Sequence, residues 1–562
     1  MRLRILLLAA AALGLAACRG DRAARTGCNA NADALDAALC PTFEAAGYEP
    51  IAASDTELCT RLSVDMVGLR PSAAWIQDRC AGRSPYDVVV SLQHTKEYRE
   101  TQRRRWADRF QYNDSMVDVK SIHDLDELVD RLYSEEMSYP EFAEVALAHP
   151  GFVGRFIGYG QPDAVADAAF RAFLGRPATA PERLDVGNLW RPWSSQNVVV
   201  EDGGPPPATA ASRAGSDACP SDGGASCGYY GYGAVPQIDP LACEAGVHSC
   251  RSELLGSASI DFPAGSRTTP LAPDQLTVAD WVALRTPGRL FTRQPMFWEA
   301  QVDEVLKRYL GYDLGQRRPE ARLALIHWFQ STNGDLVRLE RAVLVSWAYR
   351  QTAMDLPGRP RPESLKHDPI AYGPTKLMIP ETWLASMAQV TGVPAGNCDW
   401  RYPNLPEWYT PGYDPKVDAL LSDLRFPKLA DGRPDPAFRN RAASMGGCPG
   451  VIDYGSFTAT TRNTNMGLLT AVAQEEAVVE RCFLDAAPAL VPEGLSPGAT
   501  GRDATILVVE HAFRNTLGAS PSSEDLAQTV FEVEADCPQC TAETMARDLC
   551  AGLSGGVEFI FY

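Results

Sequence analysis

One short phrase recurs along this 562-residue chain and limits what it can become: an apolar run at helical spacing, a glycine, then a proline within three residues. Ser54-Asp55-Thr56-Glu57 has the form of a capping box, Leu58, Leu62, Met66 and Leu69 follow at helical spacing, and Gly68 and Pro71 stop the run. Ala169-Phe170-Arg171 leads to Leu174-Gly175 and Pro177, and Ala512-Phe513-Arg514 to Leu517-Gly518 and Pro521. A looser copy runs from Val302 to Leu310-Gly311. In each, the glycine supplies the left-handed residue that ends a helix, and in the first three a proline within three residues forbids continuation. A second phrase reads as a helix closing on an aromatic: Lys96-Glu97-Tyr98-Arg99, Trp347-Ala348-Tyr349-Arg350 and Val557-Glu558-Phe559. The spacing is too uneven for a solenoid. The expected fold is mainly α, multi-helical, built of helix-turn-helix pieces and interrupted by loop-rich, disulfide-stapled insertions.

The amino terminus sets the compartment. Arg2 and Arg4 precede an apolar run from Ile5 to Leu15, too short to span a bilayer, and Leu15-Ala16-Ala17-Cys18 follows. This is the form of a lipoprotein signal, with Cys18 as the lipid-bearing residue of the mature chain. Several acyl chains make a durable anchor. Arg19 in place of an aspartate favours the outer membrane. Removal of residues 1–17 moves the formal charge from -19 to -21, which disfavours nucleic acid and anionic lipid as partners.

Beyond Cys18 stand fourteen cysteines, an even number suited to crosslinking in an oxidising compartment. Proximity suggests Cys28/Cys40, Cys59/Cys80, Cys219/Cys227, Cys243/Cys250 and Cys398/Cys448, with Cys482, Cys537, Cys540 and Cys550 left to the last segment. Cys537-Pro-Gln-Cys540 has redox-motif spacing, yet acidic Glu532-Val-Glu-Ala-Asp536 precedes it where a thioredoxin-like site needs a strand, so it reads as structural. Thr541 follows it, so it is not a haem-attachment motif.

The expected organisation is a signal (1–17), a small, polar, alanine-rich tether (18–53), a helical domain (54–194), a Gly/Pro/Cys-rich insertion (195–275), a helical segment (276–356), a loop-rich insertion with one helix near Pro380 to Val390 (357–460), and a C-terminal helical segment (461–562).

Six phrases in order carry a family resemblance. Leu62-Ser63-Val64-Asp65-Met66-Val67-Gly68-Leu69-Arg70-Pro71, Trp106 to Ser115, Glu135 to Phe142, Glu381 to Gly392, Arg462-Asn463-Thr464-Asn465 and Glu558-Phe559-Ile560-Phe561 together resemble the large planctomycete-type proteins of unknown function whose domains are named for their association with cytochrome c. The resemblance covers nearly the whole mature chain but lacks the haem-binding cytochrome domain. It also departs at Leu384-Ala385, where the family has Arg-Asp, and at Asn465-Met466, where it has Thr-Pro. It implies a family and no established activity.

Asp108 and Asp114 are the candidate catalytic carboxylates, flanking Tyr112. Six residues on one helix turn through about 600°, so joint action needs the helix to end near Asn113. Otherwise one carboxylate caps a helix and the other pairs with Arg103, Arg104 or Arg105. Gly494-Leu495-Ser496-Pro497-Gly498 fits the serine-hydrolase pattern, but Pro497 has no N–H for an oxyanion hole. His94, His123, His149, His248, His327, His367 and His511 form no zinc pattern, and Cys243 to Cys250 reads as a disulfide loop rather than a metal site around His248. No cofactor or metal is expected. Trp190, Trp193, Trp400, Trp408 and the tyrosines at 229, 230 and 232 fall in the insertions, where aromatics serve either recognition or local packing. The expectation is a lipid-anchored envelope protein that binds a protein or glycan without catalysis. The alternative is an envelope enzyme or redox accessory working with a cytochrome system.

Overall fold

Ser54 caps its helix as the sequence predicts, its hydroxyl accepting the Glu57 amide at 3.1 Å, and Gly68 ends that helix at φ 71°. The computed structural model describes residues 28, 34–111, 119–149, 152, 162–187, 278–355, 358–392, 468–484 and 488–562. In order these form α1 (Ala34–Ala45), α2 (Asp55–Val67), α3 (Ala73–Arg79), α4 (Pro85–Gln93), α5 (Lys96–Phe110), α6 (Val119–Tyr133), α7 (Tyr139–Ala146), α8 (Pro162–Leu174), α9 (Ala180–Gly187), α10 (Val278–Thr292) and α11 (Pro295–Leu310). Then come α12 (Leu314–Arg317), α13 (Pro319–Ser331), α14 (Leu336–Leu344), α15 (Trp347–Arg350), α16 (Pro380–Thr391), α17 (Leu468–Val479), α18 (Arg502–Thr516), α19 (Ser523–Asp536), α20 (Ala542–Ser554) and α21 (Val557–Ile560). The fold is mainly α. Extended pairing among the described residues is confined to isolated bridges, Ala52 with Gln351 and Leu377 with Phe561. No described helix is long and apolar enough to cross a membrane.

The glycines of the recurring phrase do what their position requires: Gly175, Gly311 and Gly518 stand at φ 67°, 77° and 74°, beside Gly68. A side chain there would meet the left-handed clash that glycine avoids. The second phrase is differently built. Tyr98, Tyr349 and Phe559 each lie near the start of a new helix, after the preceding one has stopped at Gln93, Leu344 or Ser554. Each is fully buried. The break turns the chain, and the aromatic pins the turn to the core.

The segment 18–53 is not all tether. Leu35, Leu39 and Phe43 place an apolar stripe along α1, and all three are fully buried, with buried Cys40 of the same helix bonded to Cys28. The alanine-rich composition hid a packed helix. Cys59–Cys80 is bonded as expected, and the last four cysteines pair as Cys482–Cys550 and Cys537–Cys540, with Cα separations of 5.9 and 5.3 Å. Cys18, Cys219, Cys227, Cys243, Cys250, Cys398 and Cys448 lie outside the described residues, as does the whole 195–275 insertion. Of 357–460, residues 358–392 hold two single-turn 3-10 helices and α16, and residues 393–460 lie outside the described residues.

Two apolar cores result. The larger runs from Leu35 to Ala371 and centres on aromatics, with Trp106 and Phe142 rings 4.6 Å apart and Tyr139 stacked on Phe297 at 4.5 Å. Each such ring buried is worth roughly 1.5–3 kcal/mol by area. Trp106, Phe110, Tyr139 and Phe142, prominent in the resembling phrases, are therefore packing positions. The smaller core joins α16 to α17, α18, α20 and α21. Helix α2 serves both, giving Leu62 and Met66 to the first and Val64 to the second.

Candidate functional site

Between Val64 and Met66 stands Asp65, 2 % exposed at the seam of the two cores. A charge so buried must be compensated. Tyr349, on α15, donates its hydroxyl to Asp65 Oδ2 at 2.7 Å, and Tyr562 donates to Oδ1 at 3.0 Å. Lys376 Nζ donates to both carboxylate oxygens and, at 3.3 Å, to the Arg308 carbonyl. The ammonium also lies over the rings of Tyr562, Tyr349 and Tyr309, at 4.8, 5.8 and 6.0 Å from their centroids. Lys376 and Tyr562 face one another because their backbones exchange amide-to-carbonyl bonds of 3.0 Å each way, with Met378 to Ile560 at 2.9 Å beside them.

The network continues inward. Arg105 on α5 bonds the Asp65 carbonyl with one nitrogen and the Tyr309 hydroxyl, at 3.1 Å, with another. Tyr309 in turn donates to Glu340 Oε2 at 2.7 Å. Glu340, on α14 and fully buried, also accepts Tyr98 at 2.7 Å, Gln102 at 3.0 Å, and Tyr133 and Arg308 at 3.2 Å each. Residues 98, 102 and 105 recur at helical spacing, so α5 turns a polar stripe inward.

Burial raises the hydroxyl pKa of Tyr349 and Tyr562 well above the tyrosine value, and the Asp65 charge raises it further. Burial and Glu340 do the same to Tyr98 and Tyr133. Each phenol is held as a donor. Burial also lowers Lys376 to about 8, although Asp65 opposes the shift. On Arg308 burial disfavours the charge, but Glu304, Tyr133 and Glu340 outweigh it and raise the pKa. A lysine with such a pKa can supply a neutral amine near neutral pH. Its side chain is 10 % exposed and tied to Asp65, so the arrangement first of all fastens α2, α11, α15 and the 558–562 segment together.

Of the two sequence-chosen carboxylates, Asp108 is among the described residues. Asp108 is half-buried on α5, which ends at Phe110 with Gln111 in the left-handed region, so the helix stops before Asp114 as joint action requires; Asp114, Tyr112 and Asn465 lie outside the described residues. Among the neighbouring arginines, Arg103 pairs with Asp130 and Glu100, and Arg104 with Glu100. Gly494 to Gly498 forms turns, not a strand-to-helix elbow, and the Pro497 carbonyl accepts the Glu543 amide at 3.0 Å. His94 and His511 bond backbone carbonyls at 2.7 and 2.8 Å. Among the described residues no three His, Cys, Asp or Glu side chains gather as a metal site. Lys376 and Glu340 carried no sequence signal, because no spacing rule links residues separated by 311 positions, as Lys376 and Asp65 are. No family model, no curated protein and no solved structure matches this chain.

Proposed function

We propose that this protein is a lipid-anchored cell-envelope scaffold, tied to the outer membrane through Cys18, whose helical frame presents its insertions to a protein or glycan partner. The observation that carries the scaffold reading is the commitment of the central charges to one another. Asp65 and Lys376 neutralise each other, and Glu340 takes five donors from three helices, α5, α6 and α11. The bonded cysteines support an oxidising compartment. The six resembling phrases support kinship with the cytochrome-associated proteins. The rival reading, an envelope enzyme or redox accessory, draws its support from the lowered pKa of Lys376.

Metabolic labelling with an alkyne fatty acid tests the anchor: wild type takes up label and sediments with membranes, and Cys18→Ser loses both. Affinity recovery from detergent-solubilised envelopes tests the scaffold: a stoichiometric partner is expected, and repeated recovery of the protein alone counts against it. A Soret band or stoichiometric metal in the purified protein would favour the rival.

A further inference from the structure

The four described disulfides differ in what they hold. Cys482 and Cys550 are 0 % and 1 % exposed and close a sequence separation of 68, whereas Cys537 and Cys540 are separated by 3. The entropy a crosslink removes from the unfolded chain grows with the logarithm of loop length, so the short bridge adds least to the fold. Both helices beside it are also held without it. The Cys537 amide bonds the Val533 carbonyl at 3.0 Å and the Cys540 amide bonds the Cys537 carbonyl at 3.2 Å. Ala542 and Glu543, opening α20, donate to the carbonyls of Ala499 and Pro497 at 2.7 and 3.0 Å. Arg502 of α18 grips Glu534 of α19 at 2.6 Å, and Thr505 of α18 donates to the Met545 sulfur of α20 at 3.4 Å.

Its two sulfurs are unequal. Cys537 is part-exposed at the C-terminal end of α19, next to exposed Asp536, with Pro538 and Gln539 also exposed. Cys540 is 8 % exposed and lies just before Thr541, the N-cap of the thirteen-residue α20. Helix ends carry partial charge, negative at the C-terminus and positive at the N-terminus, so a thiolate is disfavoured at Cys537 and favoured at Cys540. The reachable sulfur is thus the one to be attacked, and the sheltered sulfur is the better leaving group.

We propose that Cys537–Cys540 is a thiol–disulfide exchange site that accepts two electrons from a dithiol protein. A thiolate of the partner attacks Cys537 Sγ, the Cys537–Cys540 bond breaks, and Cys540 leaves as a thiolate that takes up a proton. The partner's second thiolate then attacks its own sulfur in the mixed disulfide, releasing Cys537 and leaving the partner oxidised. Two electrons and two protons pass to the pair. This exchange does not rest on the lipid anchor or on the scaffold's partner.

The test uses purified full-length protein equilibrated across ratios of reduced to oxidised dithiothreitol, quenched, tagged with a maleimide and mapped by mass spectrometry. Cys537 and Cys540 should become tagged at a reductant ratio at least tenfold below that for Cys482 and Cys550, with far-ultraviolet circular dichroism unchanged, and should reoxidise when the ratio is reversed. Reduced glutathione added to the oxidised protein should form its mixed disulfide at Cys537 at least tenfold faster than at Cys540, mapped after acid quench. Reduction of all these cysteines at one ratio with loss of helical signal, or equal rates at the two sulfurs, would overturn the proposal.

Discussion

Glu340 concentrates more donors on one carboxylate than any surface pair requires, and it does so at zero exposure. Glu340→Gln removes the buried charge and turns one accepting oxygen into an NH2 donor, so part of the donor set loses its acceptor and Arg308 keeps Glu304 as its counter-charge. Breaking a buried charge pair from one side costs roughly 3–5 kcal/mol. Urea unfolding should record a loss of that size, and a loss under about 1 kcal/mol would show that the network holds little. Lys376 gives a pH signature. Its folded pKa of about 8 lies below the unfolded value of 10.5, so between the two the unfolded chain binds more protons and this group's contribution to stability rises with pH. The stability of wild type relative to Lys376→Met should therefore grow from pH 8 to pH 10.5. A flat difference would mean the amine titrates normally. Neither residue was legible beforehand: Asp65 stood inside a quoted phrase, but its partners lie on remote segments, and α5, crowded with arginine and glutamate, reads as a solvated helix until Tyr98, Gln102 and Arg105 are seen facing inward.

Helix ends were the most legible feature, because capping is local chemistry. Ser54, Gly68, Gly175, Gly311 and Gly518 stand where hydroxyl and left-handed backbone predict. Gly311→Ala tests how much the stop matters. A methyl group at Gly311 would sit 2.9 Å from Lys376 Cγ, while one at Gly47, also left-handed at φ 62°, would meet nothing within 4 Å. Gly47→Ala should cost only the backbone term of roughly 1–2 kcal/mol. Gly311→Ala should cost more and also disturb the Lys376 amine, read as a changed pH dependence of its acylation. Equal costs at the two sites would separate Gly311 from the centre. The aromatic phrase was misplaced by one element because periodicity marks a helix and says little about which side of a break an aromatic serves. The α1 helix was missed because alanine-rich polar sequence suits a tether as well as it suits a short amphipathic turn.

At the scale of the molecule the two cores share α2 but differ in reinforcement. Cys482–Cys550 closes a long loop within the smaller core, worth about 4 kcal/mol on the chain-entropy account. Replacing both by alanine should raise hydrogen exchange across residues 468–562 while residues 85–149 keep their protection. Uniform loosening of both regions would mean the cores unfold as one. The pairing of Tyr562 with Asp65 has a consequence in time. The two are 497 positions apart, so at a synthesis rate of roughly 5–20 residues per second the aspartate waits on the order of 25–100 s for that hydroxyl. In cell-free translation, where no export intervenes, a protease added during that interval should cut near residue 65 until the final segment arrives.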